Sequence, residues 1–404
     1  MFVIRAVAVV LAILSCNNLF AQTVNFEVIP NALSADDMSP DGRFIVGTSV
    51  TGPYLYDRQT KTMTNLPAPG LSAVGVSDDG SVVVGDIVDP TGVGSNVAAR
   101  WTSSTGWVSL GFLPNAGACP SRSDSYEVSA DGNVVVGLSF FDGCQAAGFI
   151  WTESTGMQPL ESLANGVNRA SVVSADGTLV GGFAQGSFSR TPAFWGSDLV
   201  GELLDPPNGD AIGEVHGMKD DGSIMLGEFL PGDETGTGVA TKWTFNGVGW
   251  DAETIGNGSI LPGWVGIPTD ISNDGTIVGF DILLTNRRAW IQYQGQGDLI
   301  LLKAWANSLG AGIPANQDLQ VCQAISADGS VICGHGAFSN AWIVTIEQDC
   351  ILGDVNLDGQ VDLLDVSPFV DLIAAGTFQK EADVNLDGIV NLLDVDGFVQ
   401  LIGG

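Results

Sequence analysis

The chain has 404 residues, a formal net charge of −32, 54 glycines and only 15% charged residues. Forty-six acidic against 14 basic side chains repel a phosphate backbone, which argues against nucleic-acid binding. The glycine-rich, charge-poor composition suits many short strands joined by tight turns rather than a helical fold, and a 45% hydrophobic content excludes a disordered chain.

The first residues read Arg5, an apolar run from Ala6 to Leu14, then small and polar residues ending in Leu19-Phe20-Ala21. This pattern predicts a signal peptide over residues 1–21, cleaved after Ala21, and a secreted or cell-surface protein. The run is too short for a good membrane span, and no later stretch is long and apolar enough. A rival reading takes Ile13-Leu14-Ser15-Cys16 as a lipoprotein box that leaves Cys16 lipidated, although Leu14 fits such a box poorly. Export permits disulfides. Cys322 and Cys333 flank one turn, and Cys119 and Cys144 flank another, so two bridges are expected and Cys350 is left over.

One unit recurs seven times, as MSPDGRFIVG (38–47), VSDDGSVVVG (76–85), VSADGNVVVG (128–137), VSADGTLVGG (173–182), MKDDGSIMLG (218–227), ISNDGTIVGF (271–280) and ISADGSVICG (325–334). Asp-Gly makes a hairpin turn because glycine reaches positive φ without a Cβ clash. The aliphatic run after it reads as a buried strand. A third apolar segment carries Trp101, Trp151, Trp195, Trp243, Trp290 or Trp342, with Tyr54 and Tyr56 in the first unit, and these aromatics are expected in the core. A fourth segment follows another Gly turn. Four strands in each of seven units predict a seven-bladed β-propeller over residues 22–347. The seventh unit supplies only three strands. Residues 23–30, TVNFEVIP, resemble a fourth-strand phrase, so they are expected to close the ring as the outer strand of the last blade. One helix is expected at 298–310, with Leu299, Leu302, Trp305, Ala306 and Leu309 on one face and Gly310 at its end.

The recurring VSxDGxVVVG phrase, the Ala-x-x-Trp segments and the ending ISADGSVICGHG…AWIVTI resemble bacterial HAF-type repeats and related propellers of secreted and autotransporter-like proteins. The first unit, SPDGRFIVG…YLYD, is also similar to the SPDG-type repeat of periplasmic propellers. That resemblance implies architecture and no particular activity.

Near the end, GDVNLDGQVDLLD (353–365) is followed by DVNLDGIVNLLD (383–394). An EF-hand-type loop places oxygens at positions 1, 3, 5, 7, 9 and 12 and a Gly at 6. The first copy supplies Asp354, Asn356, Asp358, the Gln360 carbonyl, Asp362 and Asp365. The second supplies Asp383, Asn385, Asp387, the Ile389 carbonyl, Asn391 and Asp394. Two Ca2+ sites are expected from this oxygen set. Each loop runs into an apolar segment whose face is Val366, Phe369, Val370 and Ile373, or its copy Val395, Phe398, Val399 and Ile402. Pro368 and Gly397 weaken those helices or mark their starts. Loop-then-helix written twice resembles the dockerin module, with its closest likeness in planctomycete-type secreted proteins, across residues 348–404. The resemblance implies docking to a cohesin-like or envelope partner, with Leu363, Leu364, Leu392 and Leu393 at the partner-selecting positions. At most one leucine of each pair is expected to be exposed, the other being core.

No catalytic residue is assigned. His216 and His335 read as turn or packing histidines, and Trp107, Trp250 and Trp264 are weak candidates for sugar stacking. The chain therefore reads as a secreted, non-enzymatic binding or scaffold protein. The alternative is a secreted polysaccharide-degrading enzyme, a glycoside hydrolase or lyase on a propeller, recruited by its dockerin. A deep axial funnel lined by carboxylates and aromatics favours the enzyme, and an apolar or plugged channel favours the binder.

Overall fold

The computed structural model describes residues 22–92, 95–114, 121–141, 145–163, 166–185, 190–204, 211–231, 238–337, 340–348, 352–356, 360–375, 379, 381–385 and 389–403. Residues 24–346 form one compact unit, and the described residues from 347 onward belong to a second. The signal-like segment 1–21, Cys119, Cys144, Cys350, Asp358 and Asp387 lie outside the described residues.

The first unit is a seven-bladed β-propeller. Among the described residues its strands form seven four-stranded antiparallel sheets, each but the last built from consecutive strands. The last blade joins Val321–Ile325, Val331–His335 and Ala341–Gln348 to the N-terminal strand Gln22–Val28, which pairs with Ala341–Gln348. The expected closure is therefore present, and it removes the unpaired edge that a three-stranded blade would expose. Its anchor is Val24, 1% exposed in the cluster shared by the sixth and seventh blades.

The repeated phrase explains itself in the turns. Ser39, Ser77, Ser129, Ser174 and Ser326 each donate from Oγ to the Oδ1 of the aspartate two residues on, at 2.6–3.0 Å. The same aspartate accepts a backbone N–H just beyond its glycine, as at Ser81 and Asn133. In the fifth blade Lys219 stands in the serine's place and binds Asp221 through Nζ at 2.8 Å. The two glycines of the phrase serve different needs. Gly80 of the turn sits at φ +69°, a region that penalises any Cβ. Gly85, on the next strand, passes so close to its neighbour that a Cβ would lie 2.1 Å from the Ser72 carbonyl oxygen.

Residues that follow the motif serine link the turns into a belt. Asn273 N–H donates to the Ala327 carbonyl (2.7 Å) and Ala327 N–H to Pro40 (2.7 Å). Asp78 donates to Ala130 (3.0 Å), Ala130 to Ala175 (3.0 Å) and Ala175 to Asp220 (2.9 Å). Pro40 has no N–H with which to continue the belt. Between the blades lie seven hydrophobic clusters, one for each adjacent pair. The repeat tryptophans Trp195, Trp243, Trp290 and Trp342 are fully buried in them, as expected from their matching positions.

Two expectations need correction. Cys322 and Cys333 are free and buried. A bulge at Gln323 puts Cys322 opposite Gly334 and Ala324 opposite Cys333. Cys322 then packs between blades six and seven, and Cys333 between blades seven and one. The helix is also shorter than the sequence predicts. α1 covers Leu302–Ser308, because Ile300–Leu301 pair as the outer strand of the sixth blade. Leu302 and Ala306 are its buried contacts, and Gly310 follows its end at φ +92°.

The second unit contains α2 (Val366–Ala375) and α3 (Val395–Gly403). Each starts two residues before Pro368 or Gly397, so both residues fall in a first turn, where proline costs no intrahelical bond. A Cβ on Gly397 would lie 2.8 Å from Val384 Cγ1. Phe369 and Phe398 stack with centroids 3.8 Å apart at 10° in a core with Val355, Ala382 and Val390.

Removal of residues 22–30 is expected to destabilise the propeller by at least about 3 kcal/mol, the combined worth of the buried Val24 and Ile29 before strand pairing is counted. Urea unfolding followed by tryptophan fluorescence measures this. An unchanged midpoint contradicts ring closure by this strand.

Candidate functional site

Two places concentrate chemistry: a cavity of ≈ 380 Å³ on the propeller axis and the duplicated loops of the second unit.

The cavity is built from the first strand of each blade, and the repeat sets its walls in rings. One residue before the motif serine stand Met38, Val76, Val128, Val173, Met218, Ile271 and Ile325, a wholly apolar ring. Three residues before it stand Asp36, Val74, Tyr126, Ser171, His216, Thr269 and Gln323. In blades three to seven this position is the extra residue of a β-bulge, skipped by the ladder at Tyr126, Ser171, His216, Thr269 and Gln323. Bulges re-aim a side chain without breaking the sheet.

Carboxylates crowd the same space. Asp37 Oδ2 accepts the Val76 N–H (2.8 Å) and Asp270 Oδ2 accepts the Ile325 N–H (2.8 Å), each tying its blade to the next. Glu127 Oε1 accepts the N–H of Val128 at 2.8 Å. Burial raises the pKa of Asp37 to about 7, with Asp36 and Asp220 adding to the rise. Burial likewise lifts Asp36 to about 6, and pushes Glu127 and Asp270 well above the usual carboxylate range.

On the wall made by blades three to five the charges are mixed. Arg169 pairs with Glu214, which is 1% exposed and also lies 3.5 Å from Arg190. Ser171 donates to the same carboxylate. The Arg169 guanidinium lies 5.2 Å from the centre of the Tyr126 ring. His216 Nε2 contacts Glu228 Oε2. Burial opposes the charged imidazole of His216, but Glu228 and then Glu214 outweigh it and raise its pKa. His216 is thus a cavity residue, not the turn or packing histidine read from the sequence. Trp107, Trp250 and Trp264 do not line the cavity; Trp250 packs against Phe194 and Phe245. The sequence reading missed this ring, although one signal marks it: three places before the motif serine, or Lys219, six of the seven units carry a polar residue, each of a different type.

In the second unit both loops fold alike. Asp365 is fully buried; its Oδ1 accepts the Asn356 N–H (2.9 Å) and its Oδ2 the Asp362 N–H (2.9 Å). Asp394 is equally buried, and takes the Asn385 N–H (3.1 Å) and the Asn391 N–H (2.9 Å). Asp354 and Asp383 are each 5% exposed. Each loop thus gathers buried carboxylate oxygens beside Asn356 or Asn385 and Asp362 or Asn391. Such a donor set fits a hard cation, because buried carboxylates require a counter-charge. Among the described residues no cluster of three His, Cys, Asp or Glu side chains meets metal-site geometry. Gln360 and Ile389 hold position 7.

The leucine expectation fails. Leu363, Leu364, Leu392 and Leu393 are 77%, 66%, 76% and 72% exposed. The core is filled instead by Val355, Phe369, Val390 and Phe398. The helical faces divide as well, since Val370 and Val399 stay more than half exposed. Leu363 and Leu392 flank an apolar groove of ≈ 640 Å³ along α2 and α3.

The buried carboxyls make a pH prediction. A carboxyl whose folded pKa is raised keeps its proton in the folded chain where the unfolded chain has lost it. Its stabilisation is full below about pH 4 and is lost as the pH rises through about 7. The turn aspartates act oppositely: hydrogen bonds hold Asp131 and Asp176 below the usual range, so they lose their contribution only at lower pH. The ten tryptophans all precede residue 347, so their fluorescence reports the propeller. Its thermal midpoint is expected to be several degrees higher near about pH 5 than about pH 8, and Asp37→Asn should flatten that difference. Equal midpoints in the parent chain contradict the burial of these acids.

Comparison with known proteins follows the division of the chain. The described propeller is similar to oligogalacturonate lyase from Vibrio parahaemolyticus, with 12% identity over 80% of this chain and 97% of that one and a TM-score of 0.52. An oligogalacturonate lyase in complex with manganese gives 12%, 81%, 97% and 0.52, and TolB from Acinetobacter baumannii gives 15%, 81%, 80% and 0.42. At such identities the likeness shows the fold alone. No curated protein matches the chain. Residues 352–397 match the family model for the dockerin type I domain. The chain is a seven-bladed β-propeller followed in sequence by a dockerin type I domain.

Proposed function

We propose that this chain is an exported binding or scaffold protein, without catalytic function, that is fastened to a cohesin-like or envelope partner by its C-terminal domain. One observation carries the reading: two loops of matching hydrogen-bond geometry each end in a pair of leucines held out of the core, beside an apolar groove. An exposed leucine pair in a small domain is costly unless a partner covers it. The first proposed Ca2+ site comprises Asp354, Asn356, Asp358, the Gln360 carbonyl, Asp362 and Asp365. The second comprises Asp383, Asn385, Asp387, the Ile389 carbonyl, Asn391 and Asp394. Calcium supplies the positive charge that lets these carboxylates lie together; the chain's own contribution is the backbone N–H network that holds Asp365 and Asp394 in place.

The test uses the full chain over an immobilised type I cohesin domain. Capture is expected with calcium and not with EGTA. The double variant Leu363→Asp, Leu392→Asp should lose about 100-fold in affinity while keeping its calcium. Calorimetry should count two calcium ions per chain, and one in Asp365→Ala. Capture that survives EGTA, or a leucine variant that binds like the parent, contradicts the reading.

The axial cavity favours a second reading, a polysaccharide-degrading enzyme brought to its substrate by the same dockerin. Its lining of Asp37, Glu127, Glu214 and Asp270 with Tyr126 and Phe280 is a carboxylate- and aromatic-lined funnel rather than an apolar plug. Paired carboxylates are the groups that glycoside hydrolysis uses.

A further inference from the structure

The axial cavity carries a recognition surface that the fold does not require. Two rings of the same repeat lie side by side there. The ring just before the motif serine is apolar in every blade, as packing demands. The ring two residues earlier is free of that demand, because the ladder skips it in five blades. Its bulged members are Tyr126, Ser171, His216, Thr269 and Gln323, five different side chains, each able to donate and to accept a hydrogen bond. A merely structural ring would keep one chemical character, as the apolar ring just before the motif serine does. Thr269 donates to backbone carbonyls of its own and the next blade, at 3.2 and 3.0 Å. Ser171 is tied to Glu214, and His216 to Glu228. The Gln323 amide, in contrast, makes no hydrogen bond among the described residues and lines the cavity.

Charge narrows the ligand further. Asp36, Asp37, Glu127 and Asp270 face the cavity, and its one lining arginine, Arg169, is already paired with Glu214. Among the described lining residues no further arginine or lysine remains to receive a carboxylate, sulfate or phosphate of a ligand, and His216 is tied to Glu228. Adjacent hydroxyls suit the site instead: they donate to carboxylates and accept from amide and phenol groups, with Tyr126 and Phe280 in the lining beside them. A cavity of ≈ 380 Å³ falls in the size class of small-molecule sites.

We propose that the axial cavity binds the uncharged units of a saccharide, through Tyr126, His216 and Gln323, and rejects uronate and sulfated sugars. This extends the second reading above by naming a substrate class, and it concerns binding rather than turnover. The experiment applies the full chain to an array of glycans that includes uncharged, uronate and sulfated oligosaccharides. The best uncharged glycan is then titrated by calorimetry, with chromatography of the mixture for products. Retention of uncharged glycans only is expected. Gln323→Ala and Tyr126→Phe should each weaken binding about tenfold with an unchanged thermal midpoint. Binding without products supports this proposal and removes the enzyme reading; binding with products supports both. Retention of uronate glycans as strong as that of uncharged ones, or of no uncharged glycan at all, overturns it. A Gln323→Ala chain that binds like the parent overturns the assignment of the ring.

Discussion

Backbone hydrogen bonds between successive Asp-Gly turns set the radius of the propeller, and every other feature of the first unit is placed by them. Each turn is locked internally by a serine or lysine on its aspartate, and in five of the seven blades the next residue then donates its N–H to the neighbouring blade. With the turns held at one distance from the axis, the first strands stand side by side and the seven clusters fill the wedges between blades. The arrangement also explains why the strand after each turn carries a glycine: the backbones approach too closely for a Cβ.

A scaffold fixed in this way leaves a few positions free. The inner bulges are one such set. Because the ladder passes them by, their side chains are open to different chemistry in each blade. The result is an acidic cavity in which burial lifts Asp37 to about 7 and pushes Glu127 and Asp270 well above the usual carboxylate range. The second unit solves a different problem. Its core is small, so the loops depend on buried carboxylates that cost free energy unless a cation sits among them. The same loops hold the leucine pairs outward.

Much of this was legible in the residues. Asp-Gly turns followed by aliphatic runs identify blades because both signals are local, and the surplus N-terminal strand identifies the closure because a seventh unit of three strands lacks a partner. What was not legible depended on register. Cys322 and Cys333 looked opposed across a turn, but one bulged residue, Gln323, sends them to opposite faces of the blade. Equivalent bulges in other blades hid the cavity-lining ring, since period-two reasoning assigns Tyr126 and His216 to ordinary strand positions. The leucine pairs misled for a related reason. Hydrophobicity places a leucine inside, yet Val355, Phe369, Ala382, Val390 and Phe398 make the core.

The most direct measurement is a long-wavelength anomalous diffraction experiment on crystals of the full chain grown with calcium. This account predicts two anomalous peaks in the second unit, one inside each loop, with Asp354 and Asp365 around the first and Asp383 and Asp394 around the second. A folded second unit with no peak in either loop, or with the carboxylates turned out to solvent, would contradict it.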